Sequence, residues 1–273
     1  MDALVVTSKA RVTAEVLGRF DGRLVLTTTS GWDHIDVDAA VAAGIEVGRS
    51  PLARRDAVVE HALACLMGLS RALPAQLEAA RVGRWARGEL PKMAPWRLQD
   101  RPVLLVGLGV IGRRCASFLH AMDVEVWGVD PRGVPDGVRA VDLDAALPDV
   151  GAVSLHCSLS ATSHGLLHAA RVGRMAKDAV LVNTSRGDVL DVASAVAAVS
   201  EGRLKGLATD VFPHEPYPDL ERASQHPAVW LTPHASGYAV GLGRRVADEV
   251  VAGLEAWKAG RAQPHGVLGF DRS

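Results

Sequence analysis

Three ionisable residues of complementary chemistry stand at the ends of three apolar runs. Arg186 follows AVLVNT (179–184), Glu215 follows GLATDVF (206–212), and His234 closes VWLTPH (229–234). Arginine offers a planar fork that binds a carboxylate or polarises a carbonyl. Histidine is the side chain best suited to exchanging a proton near neutral pH, and a carboxylate beside it fixes the ring. Each residue alone also has a structural use: an arginine can cap a loop, a glutamate before proline can be solvated, a histidine can end a strand. The three together, at successive run ends, point to a site.

A fourth feature supplies their partner. Gly107-Leu108-Gly109-Val110-Ile111-Gly112 closes one apolar run and opens a helical pattern. In that context the first glycine allows a tight turn and the second lets the backbone approach a pyrophosphate. The third lets helix and strand pack closely, while the helix N-terminus attracts the anion. Such loops bind FAD and S-adenosylmethionine as well as nicotinamide dinucleotides, so the loop alone names a ligand class. Asp130 ends the next run, about 20 residues further on, where a carboxylate accepts bonds from ribose hydroxyls. It also repels a 2′-phosphate, which favours NAD over NADP, although Arg132 nearby works the other way. With a nicotinamide present, the chemistry is hydride transfer to or from carbon, with His234 handling the proton on oxygen.

Parallel strands with crossover helices would place these residues together, and the chain reads that way. Short apolar runs alternate with helical patterns: ALVV (3–6), RLVLTTT (23–29) and IEV (45–47) first. After them come PVLLVG (102–107), VEVWGVD (124–130), AVSLHC (152–157) and the three runs above. Helical patterns fall near Thr13–Leu17 and Val37–Ala43, from Asp56 to about Arg71, and from Gly241 to Gly260. Residues 84–100 carry two prolines and several charges and read as a connection. The second block predicts a doubly wound α/β fold, in which ligands bind outside the carboxyl ends of the strands.

Composition narrows the classes. The 273 residues are 48% hydrophobic, enough for a sizeable core, with 30 Lys plus Arg against 31 Asp plus Glu. That balance leaves no electrostatic footprint for nucleic acid or an anionic membrane. No run reaches a membrane span, and the N-terminus does not read as a signal peptide. Cys65, Cys115 and Cys157 stand singly, with neither zinc spacing nor a disulfide framework, which fits a reduced cytoplasm.

GLGVIG, NTSRG, DVFPHEP and TPHASG, together with TTTSGWDHID and AVVEHALACLMGLSR, resemble the D-isomer-specific 2-hydroxyacid dehydrogenases, in the right order over nearly the whole chain. The resemblance implies an NAD-dependent oxidoreductase that interconverts a small 2-oxo acid and a D-2-hydroxy acid. It implies a Rossmann domain at 73–239 and a smaller, truncated flavodoxin-like α/β substrate domain at 1–72 and 240–273, with a cleft between them, in a homodimer. Arg186 would bind the substrate's carboxylate and carbonyl, with His234 as general acid/base and Glu215 as its partner. Gly107, Gly109, Val110, Ile111, Gly112, Asp130, Cys157, Thr184, Ser185 and Asp210 would line the cofactor, Asp210 holding the nicotinamide carboxamide. The backbone around Ser30, Gly31 and Trp32 would cradle the substrate carboxylate. MDALVVTSK matches a strand well inside the family's substrate domain, so about three strands are expected there. Where the family often has asparagine stands Arg49, which with Arg54 and Arg55 suits either a phosphorylated or doubly acidic substrate or a solvated loop. The alternative to an enzyme is a non-catalytic NAD(H)-binding regulatory or degenerate relative.

Overall fold

The computed structural model describes residues 2–267. The chain divides into two compact units, residues 1–56 with 238–273 and residues 57–237. The sequence pattern puts these divisions at 72/73 and 239/240. The earlier first division follows from packing. Val59, Ala62, Leu63, Leu66 and Leu69, on the helix Leu52–Ser70, lie in one buried cluster with Val103, Leu105, Val180 and Ala208 of the second unit.

The first unit holds the three predicted strands, β1 (Ala3–Val6), β2 (Leu24–Thr27) and β3 (Glu46–Arg49), as one parallel sheet in that order. β2, the middle strand, is buried throughout. The short helices between them start where a polar side chain can take a first-turn N–H: Thr13 accepts from Val16 and Asp36 from Ala39. Their inner faces give Leu17 and Ala40 to a core with Val6, Val25, Ile45 and Val47. The helix Leu242–Lys258 returns to this unit. The Glu249 carboxylate on it accepts from the backbone N–H groups of Leu52 (3.0 Å) and Ala53 (2.8 Å).

The second unit is a seven-stranded parallel sheet. Its strands are β4 (Val103–Val106), β5 (Val126–Val129), β6 (Arg139–Ala140), β7 (Ala152–Leu155), β8 (Val180–Asn183), β9 (Gly206–Thr209) and β10 (Val229–Leu231). The order is β10-β9-β8-β7-β4-β5-β6. The chain lays β5 and β6 on one side of β4 and β7 to β10 on the other. The reversal falls between β4 and β7, at the carboxyl ends of which such sheets bind ligands. β4, β7, β8 and β9 are buried at every position, which is why they read as unbroken apolar runs. Six of the seven strands are those the sequence predicts. β6 is two exposed residues with no apolar run to betray it. Residues 84–100 form three short helical turns, and the helix Leu73–Arg81 precedes them. Among the described residues, no helix is long and apolar enough to cross a membrane.

Candidate active site

The glycine loop follows β4, and each glycine answers a different demand. Gly107 has φ +93°, and a Cβ there would stand 2.5 Å from the Cys157 nitrogen beyond β7. A Cβ at Gly112 would stand 2.0 Å from the Gly107 carbonyl oxygen, so helix and loop touch through bare backbone. A Cβ at Gly109 would meet only the tip of Arg132, at 3.7 Å, which leaves open room above that peptide. The helix Val110–Ala121 starts here without a side-chain cap, so the N–H groups of Val110 and Ile111 have no intrahelical acceptor. Asp130, beyond β5, accepts from the Leu108 N–H at 2.7 Å and the Arg132 N–H at 2.9 Å. The Arg132 guanidinium also stands 3.5 Å from this carboxylate, and of its roughly four lone-pair sites at least one remains for a ribose hydroxyl.

These features fit a dinucleotide, and one buried atom adds to the case. The Thr184 hydroxyl, just past β8, is buried without a hydrogen-bond partner. A buried hydroxyl costs stability unless it is paired, and a cofactor group lying over the strand end would pair it. Cys157 is half-buried, and burial pushes its thiol up to about 11. Beneath the loop, His156 is half-buried, with Nε2 3.0 Å from the Ser154 hydroxyl, and desolvation lowers its pKa to about 4. It is therefore a neutral ring at physiological pH.

Arg186 is aimed by its neighbours. The buried Asn183 side chain donates to the Arg186 carbonyl (2.9 Å) and accepts from the Ser185 N–H (3.0 Å) and hydroxyl (2.8 Å). Next to Arg186, a Cβ on Gly187 would lie 1.9 Å from the Phe212 carbonyl carbon, so the loop after β8 rests on the loop after β9. The arginine itself is half-buried, with Nη1 donating to the Ser185 carbonyl at 2.8 Å.

Asp210 organises the loop that carries His234. Its buried carboxylate accepts from the Thr232 hydroxyl (2.6 Å) and from the N–H groups of Ala235 (2.7 Å) and Ser236 (2.8 Å). Its carbonyl accepts from the His234 N–H at 2.8 Å. His234 is thus held at φ +53°, a left-handed conformation that a side chain seldom adopts without such restraint. Its ring stays exposed, with Nδ1 2.8 Å from Glu215 Oε2, while Glu215 Oε1 accepts from the Phe212 N–H at 3.1 Å. A carboxylate only accepts, so the ring proton on that side sits on Nδ1, which leaves Nε2 on the opposite edge of the ring.

In the first unit the loop Thr28–Trp32 follows β2. Its five carbonyls are all taken, that of Trp32 by the Ile35 N–H at 2.9 Å. Thr28 accepts from Arg54, Thr29 from the Ser50 N–H (3.1 Å), Ser30 from Arg49 (3.2 Å) and Gly31 from the Thr29 hydroxyl (2.8 Å). Among the described residues, the N–H groups of Ser30, Gly31 and Trp32 have no acceptor. The basic cluster is therefore neither solvated nor uniform: Arg49 and Arg54 turn onto this loop, while Arg55 pairs with Asp56 at 2.9 Å.

Within the second unit the structure brings together Arg186, Glu215 and His234 on the ends of neighbouring strands, beside Thr184, Ser185 and Asp210. Asn183, Gly187 and Thr232, which do the positioning, lie within NTSRG and TPHASG but receive no individual role from the sequence. Their only signal is the abrupt change from apolar to small polar residues at each strand end.

Comparison with known proteins agrees with this geometry. Residues 63–236 match the model of the D-isomer specific 2-hydroxyacid dehydrogenase NAD-binding domain. The chain is 31% identical to a glyoxylate reductase of Thermofilum pendens, over 96% of this chain and 80% of that one. It is 30% identical to a D-3-phosphoglycerate dehydrogenase of Mycobacterium tuberculosis over 97% of its length, but spans only 51% of that longer protein. A crystal structure of D-lactate dehydrogenase from Aquifex aeolicus with NAD and lactic acid shares the fold. Its TM-score is 0.86 at 23% identity, covering 99% of this chain and 87% of the other. The chain belongs to the D-isomer specific 2-hydroxyacid dehydrogenases. It is an oxidoreductase of the class that acts on CH–OH donors, and its cofactor is NAD.

Proposed function

We propose that this protein interconverts a small 2-oxo acid and a D-2-hydroxy acid, with His234 as the acid/base and Arg186 as the binder of the substrate's carboxylate and carbonyl. The observation that carries the reading is the 2.8 Å pair of His234 Nδ1 and Glu215 Oε2, past the ends of β10 and β9, the two strands next in order to the β8 that presents Arg186. Gly107 to Gly112, Asp130, Thr184 and Asp210 would hold NAD, which supplies or accepts the hydride. The proton falls to a side chain. In the reducing direction, Nε2 of the doubly protonated His234 ring gives its proton to the carbonyl oxygen as that oxygen gains the C=O electron pair. The Arg186 guanidinium stabilises the charge developing there. In oxidation Nε2 takes the hydroxyl proton back. Glu215 keeps the ring in the tautomer and orientation that this exchange needs. The N–H groups of Ser30, Gly31 and Trp32 would add backbone donors for the substrate carboxylate.

The test is NADH oxidation against a panel of glyoxylate, hydroxypyruvate, pyruvate, phenylpyruvate, 2-oxoglutarate and a phosphorylated 2-oxo acid, with Arg186→Ala beside the wild type. Turnover of a panel member, lost on the order of 10³-fold in kcat/KM in the variant, supports the reading. Tight NADH binding with no turnover of any member would overturn it in favour of a nucleotide-binding protein without catalysis.

A further inference from the structure

A trans peptide is planar, so the C=O of one residue and the N–H of the next point in opposite directions. Fixing a carbonyl therefore aims the following N–H. Applied to the loop after β2, the Ser50 N–H on the Thr29 carbonyl aims the Ser30 N–H, and Arg49 on the Ser30 carbonyl aims the Gly31 N–H. The Thr29 hydroxyl on the Gly31 carbonyl aims the Trp32 N–H, and Arg54 on the Thr28 carbonyl aims that of Thr29. Ser50, Arg49 and Arg54 all come from the end of β3 and the segment after it, so the N–H groups opposite them point away from that segment. Consecutive outward N–H groups of this kind make a concave anion receptor. A second contact locks the same arrangement: the Arg49 guanidinium lies 4.8 Å from the centre of the Trp32 ring. Thr27 continues the brace from inside β2, its hydroxyl 2.8 Å from that of Thr29 and 3.0 Å from His34 Nε2.

We propose that Arg49 and Arg54 are positioning residues for substrate binding: they seize the carbonyls of Ser30 and Thr28 and so turn the N–H groups of the loop toward the substrate carboxylate. The assignment of that carboxylate to the loop rests on the dehydrogenase reading above. The guanidinium suits the task because it reaches a carbonyl with a fixed planar donor and covers an aromatic face at once. A lysine at position 49 has one point charge and cannot do both. The partial burial of Arg54 fits a cation spent on the loop, since desolvation outweighs the pull of Glu249 and lowers its pKa from the usual arginine value.

The experiment compares wild type with Arg49→Leu, Arg49→Lys and Arg54→Met in two measurements. The first is KM and kcat for whichever 2-oxo acid the wild type reduces, with the Kd for NADH alongside. The second is amide hydrogen exchange over the peptide containing Thr28–Trp32. Arg49→Leu and Arg54→Met should each raise KM about tenfold, as expected for loss of one charge-assisted hydrogen bond, with kcat changing far less. The NADH Kd should stay at its wild-type value, and exchange in the loop should speed up. Arg49→Lys should recover part of the KM and part of the exchange protection. Unchanged KM, or a raised KM with unchanged loop exchange, would overturn the proposal, the latter because the arginines would then act on substrate as charges alone. Should the wild type reduce no 2-oxo acid, the dehydrogenase reading fails on that result. The exchange comparison still decides whether the arginines order the loop.

Discussion

The two loops that bear the proposed chemistry are held by opposite means. The loop after β10 is gripped by an anion: the Asp210 carboxylate takes the N–H groups of Ala235 and Ser236 and the Thr232 hydroxyl, and the exposed His234 side chain is what it presents. The loop after β2 is gripped by donors: Arg49 and Arg54 take two of its carbonyls, neutral N–H and hydroxyl groups take the rest, and backbone N–H groups are what it presents. A clamp that accepts hydrogen bonds uses up the donors of its loop, so function passes to a side chain. A clamp that donates uses up the acceptors, so the main-chain donors themselves become the functional groups. The sign of the clamp thus decides whether the loop works through its side chain or its backbone.

Among changes to the supporting residues, the largest effect should come from the anionic clamp. Asp210→Asn keeps the shape but replaces one accepting oxygen with a donor that faces an N–H. The His234 loop should shift, and kcat should fall on the order of 10²-fold, the usual cost of a small misplacement at a reacting centre. Loop exchange over Thr28–Trp32 should not change, because that loop belongs to the other clamp. A kcat within twofold of wild type would show that the His234 loop does not depend on this carboxylate.

The layer under the glycine loop sharpens the contrast, since it holds an ionisable group that neither clamp touches. His156 has its pKa lowered from 6.5 to about 4 by burial. The unfolded chain therefore takes up a proton at a pH where the folded one does not. Stability from this residue is complete above about 6.5 and is lost as the pH falls toward 4. The loss over that window should be roughly 3 kcal/mol. Denaturant unfolding of His156→Gln across the same range should show a flatter pH profile than wild type. Parallel profiles would mean that another group governs acid sensitivity.

The smallest expected effect is at Thr184. Thr184→Val removes a buried hydroxyl that has no partner, so the protein without cofactor should be unchanged or about 1 kcal/mol more stable. NADH binding should weaken several-fold, by about 1 kcal/mol, because in the proposed site this hydroxyl would bond the cofactor. Calorimetry with and without NADH separates the two terms. Unaltered NADH affinity would place the cofactor away from this strand end.

Much of this arrangement is legible in the sequence because its causes are local. The buried parallel strands are continuous apolar runs, the glycine loop is fixed by close backbone approach, and Arg186, Glu215 and His234 mark strand ends. The clamps are not legible in the same way. Asp210 reaches Ser236 across 26 positions, and Arg54 reaches Thr28 across a similar distance. A hydrogen bond of that range leaves no periodic trace. The basic cluster shows the limit best: three arginines of equal appearance divide into two loop braces and one half-buried ion pair, according to where the backbone aims them. β6 escapes for the opposite reason, being too short and too exposed to need apolar residues.

The central claim is that the His234 ring exchanges the proton while other groups bind. Single-turnover reduction of the active 2-oxo acid by His234→Ala tests it most directly, with binding of NADH and of oxamate measured on the same protein. The account predicts that turnover falls on the order of 10³-fold while both affinities stay near wild type. Turnover within a few-fold of wild type would contradict it, because the proton would then come from another group.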